Sequence, residues 1–162
     1  MANLFPNPSF ETDLSNWGND ASYTRSNDTA EDGSWSVKQV ATSGYDNFTT
    51  QNDAPHKIPV SVGTKYTLSL WYKLTINSGL SPNYEIHDDL PYSGSNLATG
   101  NLTAASVWTQ KVINFTSDST GYVTLRIYNN NGNVLAYYDN FNLDLTPGGG
   151  TGSLLSQRLP FA

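Results

Sequence analysis

Apolar and polar residues alternate along much of this chain, and no stretch repeats them at helical spacing. The longest alternation is Lys65–Thr75. Tyr66, Leu68, Leu70, Tyr72 and Leu74 fall on one face, and Thr67, Ser69, Trp71 and Lys73 on the other. A period of two marks a strand with one buried face. Tyr122–Asn129 repeats the pattern, with Val123, Leu125 and Ile127 inward and Tyr122, Thr124, Arg126 and Tyr128 outward. Asn83–Leu90 divides into Tyr84, Ile86 and Asp88 against Glu85, His87 and Asp89. Ser34–Val40, Trp108–Phe115 and Val134–Leu145 read as further strands, and residues 21–26, 48–51 and 58–62 as shorter ones. Residues 2–17 read as an opening strand and fixed turn, 93–105 as a polar loop, and Asn129–Asn133, with Asn-Gly at its centre, as a hairpin turn. Short strands with regular turns predict an all-β, antiparallel two-sheet sandwich.

Composition narrows the function classes. The chain has 162 residues, enough for one domain with a real core; only 14% are charged, and the net charge is −6. No basic patch is available to neutralise phosphates, so a nucleic-acid partner is not expected. No stretch approaches the length of a membrane span, so membrane insertion is not expected either. There is no cysteine, which rules out disulfides, thiolate metal sites and a cysteine nucleophile. Met1-Ala2 leads straight into the first predicted strand without a signal peptide. That start suits either a piece cut from a longer protein or a protein released without a secretion signal, such as a virion component, and the expected location is extracellular or on a virion surface.

The two ends carry related patterns. Asn3-Leu4-Phe5-Pro6-Asn7-Pro8-Ser9-Phe10-Glu11, closing at Trp17, places a carboxylate beside an apolar cluster. So does Tyr137-Tyr138-Asp139-Asn140-Phe141 near the other end. Two such ends suggest that they meet in the fold. These segments, with Gly33-Ser34-Trp35-Ser36-Val37-Lys38 and Val60–Lys73, resemble the carbohydrate-binding-module superfamily of β-jelly rolls, families 4, 9, 16 and 22. The resemblance spans about residues 2–145. It implies a jelly-roll sandwich over residues 1–146, non-catalytic binding to a polysaccharide or cell-surface glycan, and a structural calcium ion. The calcium ligands it implies are the Glu11 and Asp139 carboxylates with carbonyls of Ser9, Gly33 and Asp139. Read from the residues alone, Glu11 would instead cap backbone amides and Asp139 would hold a turn.

Sugars offer apolar C–H faces to aromatic rings, and hydroxyls that need paired donors and acceptors. Trp71, Glu85, His87, Arg126, Tyr128 and Tyr138 are the residues expected to form such a face on one concave sheet. The alternative is that these aromatics pack under loops or at subunit contacts. Catalysis finds little support. Glu85, Asp88 and Asp89 surround His87 but read as a solvated strand end, and no nucleophile elbow or zinc-protease motif is present. Residues 147–162 differ in kind: a Gly-rich linker, then a short apolar peptide with Leu154, Leu155, Leu159 and Phe161. That peptide suits docking on a neighbouring subunit of a virion; the bland alternative is a disordered end. The same features would fit a purely structural decoration or tail protein of a phage particle.

Overall fold

The computed structural model describes residues 3–19, 21–41, 45–50, 57–89, 95–130 and 132–146. The tail, with Leu154, Leu155, Leu159 and Phe161, lies outside the described residues. Among the described residues there are eleven strands and no helix: β1 (Trp17–Asn19), β2 (Tyr23–Ser26), β3 (Ser36–Ala41), β4 (Tyr45–Thr50), β5 (Ile58–Pro59), β6 (Lys65–Ser78), β7 (Asn83–Asp88), β8 (Asn96–Asn101), β9 (Ala105–Thr116), β10 (Tyr122–Asn130) and β11 (Asn133–Leu145). One sheet runs β1-β4-β10-β7-β8, with β5 also paired to β10, and the other runs β2-β3-β11-β6-β9. All pairings are antiparallel, so the fold is the expected two-sheet sandwich.

The long alternations set the core. Tyr66, Leu68, Leu70, Tyr72 and Leu74 of β6 are buried, as are Val123, Leu125 and Ile127 of β10 in the facing sheet. An aromatic stack closes one end of the sandwich. Trp17 lies flat on Phe48 with ring centres 4.6 Å apart, Phe48 stacks on Tyr23 at 5.3 Å, and Phe5 stacks on Trp17 at 5.7 Å. Phe10 meets Trp17 at 5.5 Å and Phe141 at 5.7 Å, edge to face. Trp17 and Phe48 belong to one sheet, Tyr23 and Phe141 to the other, so the stack ties the layers together.

The chain ends do meet. The Leu4 amide donates to the Leu143 carbonyl at 3.1 Å, and the Phe141 amide to the Pro8 carbonyl at 3.0 Å. The Asn3 side-chain oxygen accepts from the Leu143 and Phe5 amides at 3.0 and 3.1 Å.

Three sequence expectations need correction. Residues 3–16 form bends rather than an opening strand, because Asn7, Phe10 and Asn16 take positive φ angles of 47°, 57° and 70° around two prolines. The 93–105 stretch contains β8; an edge strand needs only backbone pairing, here with β7, and gives no periodic signal. Asn129–Asn133 is not a hairpin turn, because β10 and β11 lie in different sheets. It is a crossover, held by the buried Asn129 side chain, which donates to the Gly132 carbonyl at 2.8 Å and accepts from the Gly132 amide at 3.2 Å.

Truncating the central ring of the stack tests its role. Phe48→Ala is expected to cost about 3–5 kcal/mol of unfolding free energy in chemical denaturation. Val40→Ala, at a position 52% exposed on the outer face of β3, is expected to cost less than about 0.5 kcal/mol.

Candidate functional site

Alternation along β4, β10 and β7 places one set of side chains on the outer face of their sheet. The register aligns Arg126 with Glu85 and Thr49, Tyr128 with Asn83 and Asn47, and Thr124 with His87. These residues form a connected network. Arg126 donates through Nε to Asn47 Oδ1 at 2.8 Å and through Nη1 to Glu85 Oε2 at 3.0 Å. The same Glu85 oxygen lies 2.9 Å from His87 Nε2. An ionised carboxylate only accepts, so Nε2 carries the proton in that contact. The Arg126 guanidinium sits 4.1 Å from the Tyr128 ring centre, and Asn83 donates to the Tyr128 hydroxyl at 3.1 Å. One cation and one carboxylate balance beside an aromatic ring, in a network of low exposure: the Arg126, Glu85 and His87 side chains are 14%, 13% and 5% exposed. At the His87 end, His87 Nδ1 and Thr124 Oγ1 are buried with no hydrogen-bond partner among the described residues.

Of the six residues expected on one face, the structure brings four together: Glu85, His87, Arg126 and Tyr128. Trp71 points outward from β6, in the other sheet, opposite Asp139 and Gln110. It therefore sits on the far side of the sandwich. Tyr138 is not on a surface at all. It is fully buried, its hydroxyl donates to Gln39 Oε1 at 2.8 Å, and burial pushes its pKa far up. Alternation along β11 turns Val134, Ala136 and Tyr138 into the core. The remaining carboxylates near His87 diverge: Asp88 accepts from Thr120 Oγ1 at 2.8 Å on the inner side, and Asp89 pairs with Lys57 at 2.5 Å. Asn47, Asn83 and Thr124 escaped the sequence reading. The outward alternation of Asn83 and Thr124 was legible but their strand neighbours were not, and Asn47 lay outside the expected 48–51 strand.

The outer face of the Trp71 sheet is partly occupied by the chain itself. Thr29, in the β2–β3 connection, accepts from Trp108 Nε1 on β9 at 3.2 Å. β2 and β3 lie at one edge of that sheet and β9 at the other, so the connection and the Trp108 ring together span its width.

The end of this connection is clasped by the two carboxylates singled out in the sequence. Glu11 accepts from the Ser34 and Trp35 amides at 3.1 and 3.0 Å. Asp139 accepts from the Glu31, Asp32 and Asn140 amides at 2.8, 3.0 and 2.7 Å. Gly33 between them has a φ of +68°, and a Cβ there would lie 2.5 Å from the Glu11 carboxyl carbon, so only glycine fits. Ser9 lies two residues before Glu11. Arg25 completes the clasp: Nε donates to the Phe10 carbonyl at 2.6 Å, an Nη donates to the Glu11 carbonyl, and the guanidinium lies 3.5 Å over the Trp35 ring. These contacts are the amide-capping arrangement read from the residues alone: both oxygens of Glu11 and both of Asp139 accept backbone amides, although they are also hard oxygens of the kind calcium takes. Among the described residues no three acidic or histidine side chains converge, so carbonyls would have to complete the set.

No protein-family model matches the chain, and no curated protein matches it. Solved structures do. The module TmCBM61, solved with β-1,4-galactotriose, is 19% identical with a TM-score of 0.65, covering 90% of this chain and 100% of that one. A family 16 carbohydrate-binding module is 20% identical at a TM-score of 0.67, covering 88% and 99%. The fold is that of the carbohydrate-binding-module jelly rolls. The same jelly roll recurs in the enzymatically active domain of tailspike protein 4 of bacteriophage CBA120, 18% identical at a TM-score of 0.70, where it matches 89% of this chain and 21% of the tailspike.

Burial raises the Asp139 pKa to about 6, against the opposing pull of the three amides. The folded carboxyl therefore binds its proton more tightly than the unfolded one, whose value is 3.8. Stability from this group is fully present below that unfolded value and falls as pH rises through about 6. In EDTA, denaturation free energy is expected to increase by about 1 kcal/mol between pH 7 and pH 5, because one pKa unit is worth about 1.4 kcal/mol and most of the change falls below pH 6. Asp139→Asn is expected to flatten that slope.

Proposed function

We propose that this chain is a non-catalytic carbohydrate-binding module whose sugar site is the outer face of β4, β10 and β7. The observation that carries the reading is the Asn47–Arg126–Glu85–His87 network beside Tyr128, with two polar atoms at its end that have no partner among the described residues. Those atoms leave hydrogen-bonding capacity for a sugar hydroxyl or a bridging water. The balanced charge suits a neutral oligosaccharide, and Tyr128 offers the ring on which a pyranose face stacks. The galactotriose bound by TmCBM61 supports that ligand class. The partner is a polysaccharide or cell-surface glycan, and the working location is extracellular.

The phage tailspike that carries the same fold favours display on a virion surface, where the module would grip host glycans. A calcium ion held by Glu11, Asp139 and the Ser9 and Gly33 carbonyls belongs to the same reading. Its role is to offset the charge of the buried Asp139 and fix the clasp, not to touch the sugar.

A glycan array followed by titration calorimetry tests the site. Tyr128→Ala is expected to weaken binding at least tenfold, or about 1.4 kcal/mol, and Trp71→Ala to leave it unchanged. Loss with Trp71→Ala alone would move the site to the other sheet. A folded protein that binds no glycan would leave the structural virion role. For the ion, calcium at about a hundredfold excess over its Kd is expected to add about 2.7 kcal/mol of stability over EDTA. An unchanged melting temperature would exclude it.

A further inference from the structure

The last described residues run along the rim of a cleft that the glycan reading does not use. Leu4, Pro59, Val60, Ser61, Tyr66, Asp144 and Leu145 line it, enclosing about 490 Å³. Its walls are firmly built. The Tyr66 hydroxyl accepts from the Ser61 amide at 2.9 Å, and Ser117 Oγ donates to the Ser61 carbonyl at 2.5 Å. The chain is pinned just past it. The Thr146 amide donates to the Lys65 carbonyl at 3.0 Å, and the Thr146 and Thr67 hydroxyls lie 3.0 Å apart. Leu4, 36% exposed, opens the apolar floor to solvent.

We infer that this cleft is the dock for the chain's own C-terminal peptide, with Leu154, Leu155, Leu159 and Phe161 as the side chains that fill it. Three observations on this chain point the same way. The peptide is apolar where the cleft is apolar. Arg158 brings a positive charge to a cleft that carries Asp144, on a chain of net charge −6. The spacer begins at the cleft rim: residues 147–153, four of them glycine, have a root-mean-square span of roughly 15 Å, which keeps Leu154 within reach of the cleft. A short flexible spacer gives an effective local concentration in the millimolar range, so the chain's own tail outcompetes that of a second copy at ordinary protein concentrations. The dock is thus on the same domain, in place of the neighbouring subunit that the sequence suggested.

The chain has no cysteine, so Ala162→Cys accepts a single nitroxide label on the full-length protein. The amide resonances of Leu4, Val60, Tyr66 and Leu145 are expected to broaden severalfold more than those of β8 on the other sheet. The effect is expected to be independent of concentration and lost in Leu154→Asp/Leu155→Asp, changes that leave the folded domain untouched. In a mixture of isotope-labelled chain without nitroxide and nitroxide-labelled chain without isotope, the cleft resonances are expected to stay sharp. Broadening only in that mixture would assign the cleft to a second copy's tail and overturn the proposal. Equal, weak broadening across the domain would overturn it outright.

Discussion

The sandwich depends on a stack of aromatic rings that belongs to neither sheet alone. Trp17 and Phe48 come from one layer, Tyr23 and Phe141 from the other, and Phe5 and Phe10 from the irregular opening segment. Rings of this size bury more apolar surface per residue than aliphatic side chains, and stacked or edge-on pairs add roughly 0.5–1.5 kcal/mol each. Phe10 takes a φ of 57°, a conformation that a bulky residue adopts only when its surroundings enforce it. Its ring is wedged between Trp17 and Phe141, and the carboxylate that follows is thereby aimed at the Ser34 and Trp35 amides. Packing and the polar clasp are one construction.

That construction covers part of one outer face. The clasped connection leads Thr29 across the β2-β3-β11-β6-β9 sheet to Trp108, while the opposite sheet presents the Arg126 network. A sugar site needs several outward strands with matched polar groups, and only an arrangement of neighbouring strands supplies that. Arg126, Glu85 and Asn47 are distant in sequence and adjacent in register.

Much of the fold was legible. Strict alternation in β6 and β10 located their inner faces residue by residue, because a one-residue slip would expose a whole row of Leu, Ile and Tyr. The meeting of the ends was legible in the paired apolar-carboxylate segments. Strand membership in a sheet was not. Trp71 and Arg126 are both outward residues, and nothing local to either strand tells which side of the sandwich is outward for it. Tyr138 was misplaced although Val134, Ala136 and Tyr138 keep the inward period. β8 left no trace because an edge strand of Asn, Thr and Gly is held by its partner's backbone rather than by burial.

The strand order also has a mechanical meaning. Thr146 continues directly from β11, the middle strand of its sheet, bonded to β3 on one side and β6 on the other. The Arg126 face lies on the opposite layer. If the module is tethered beyond residue 146 and held by a ligand on that face, tension passes through the thickness of the sandwich. It loads the ring stack and the β11 ladders together, so the grip and the anchor cannot be pulled apart by peeling one edge strand.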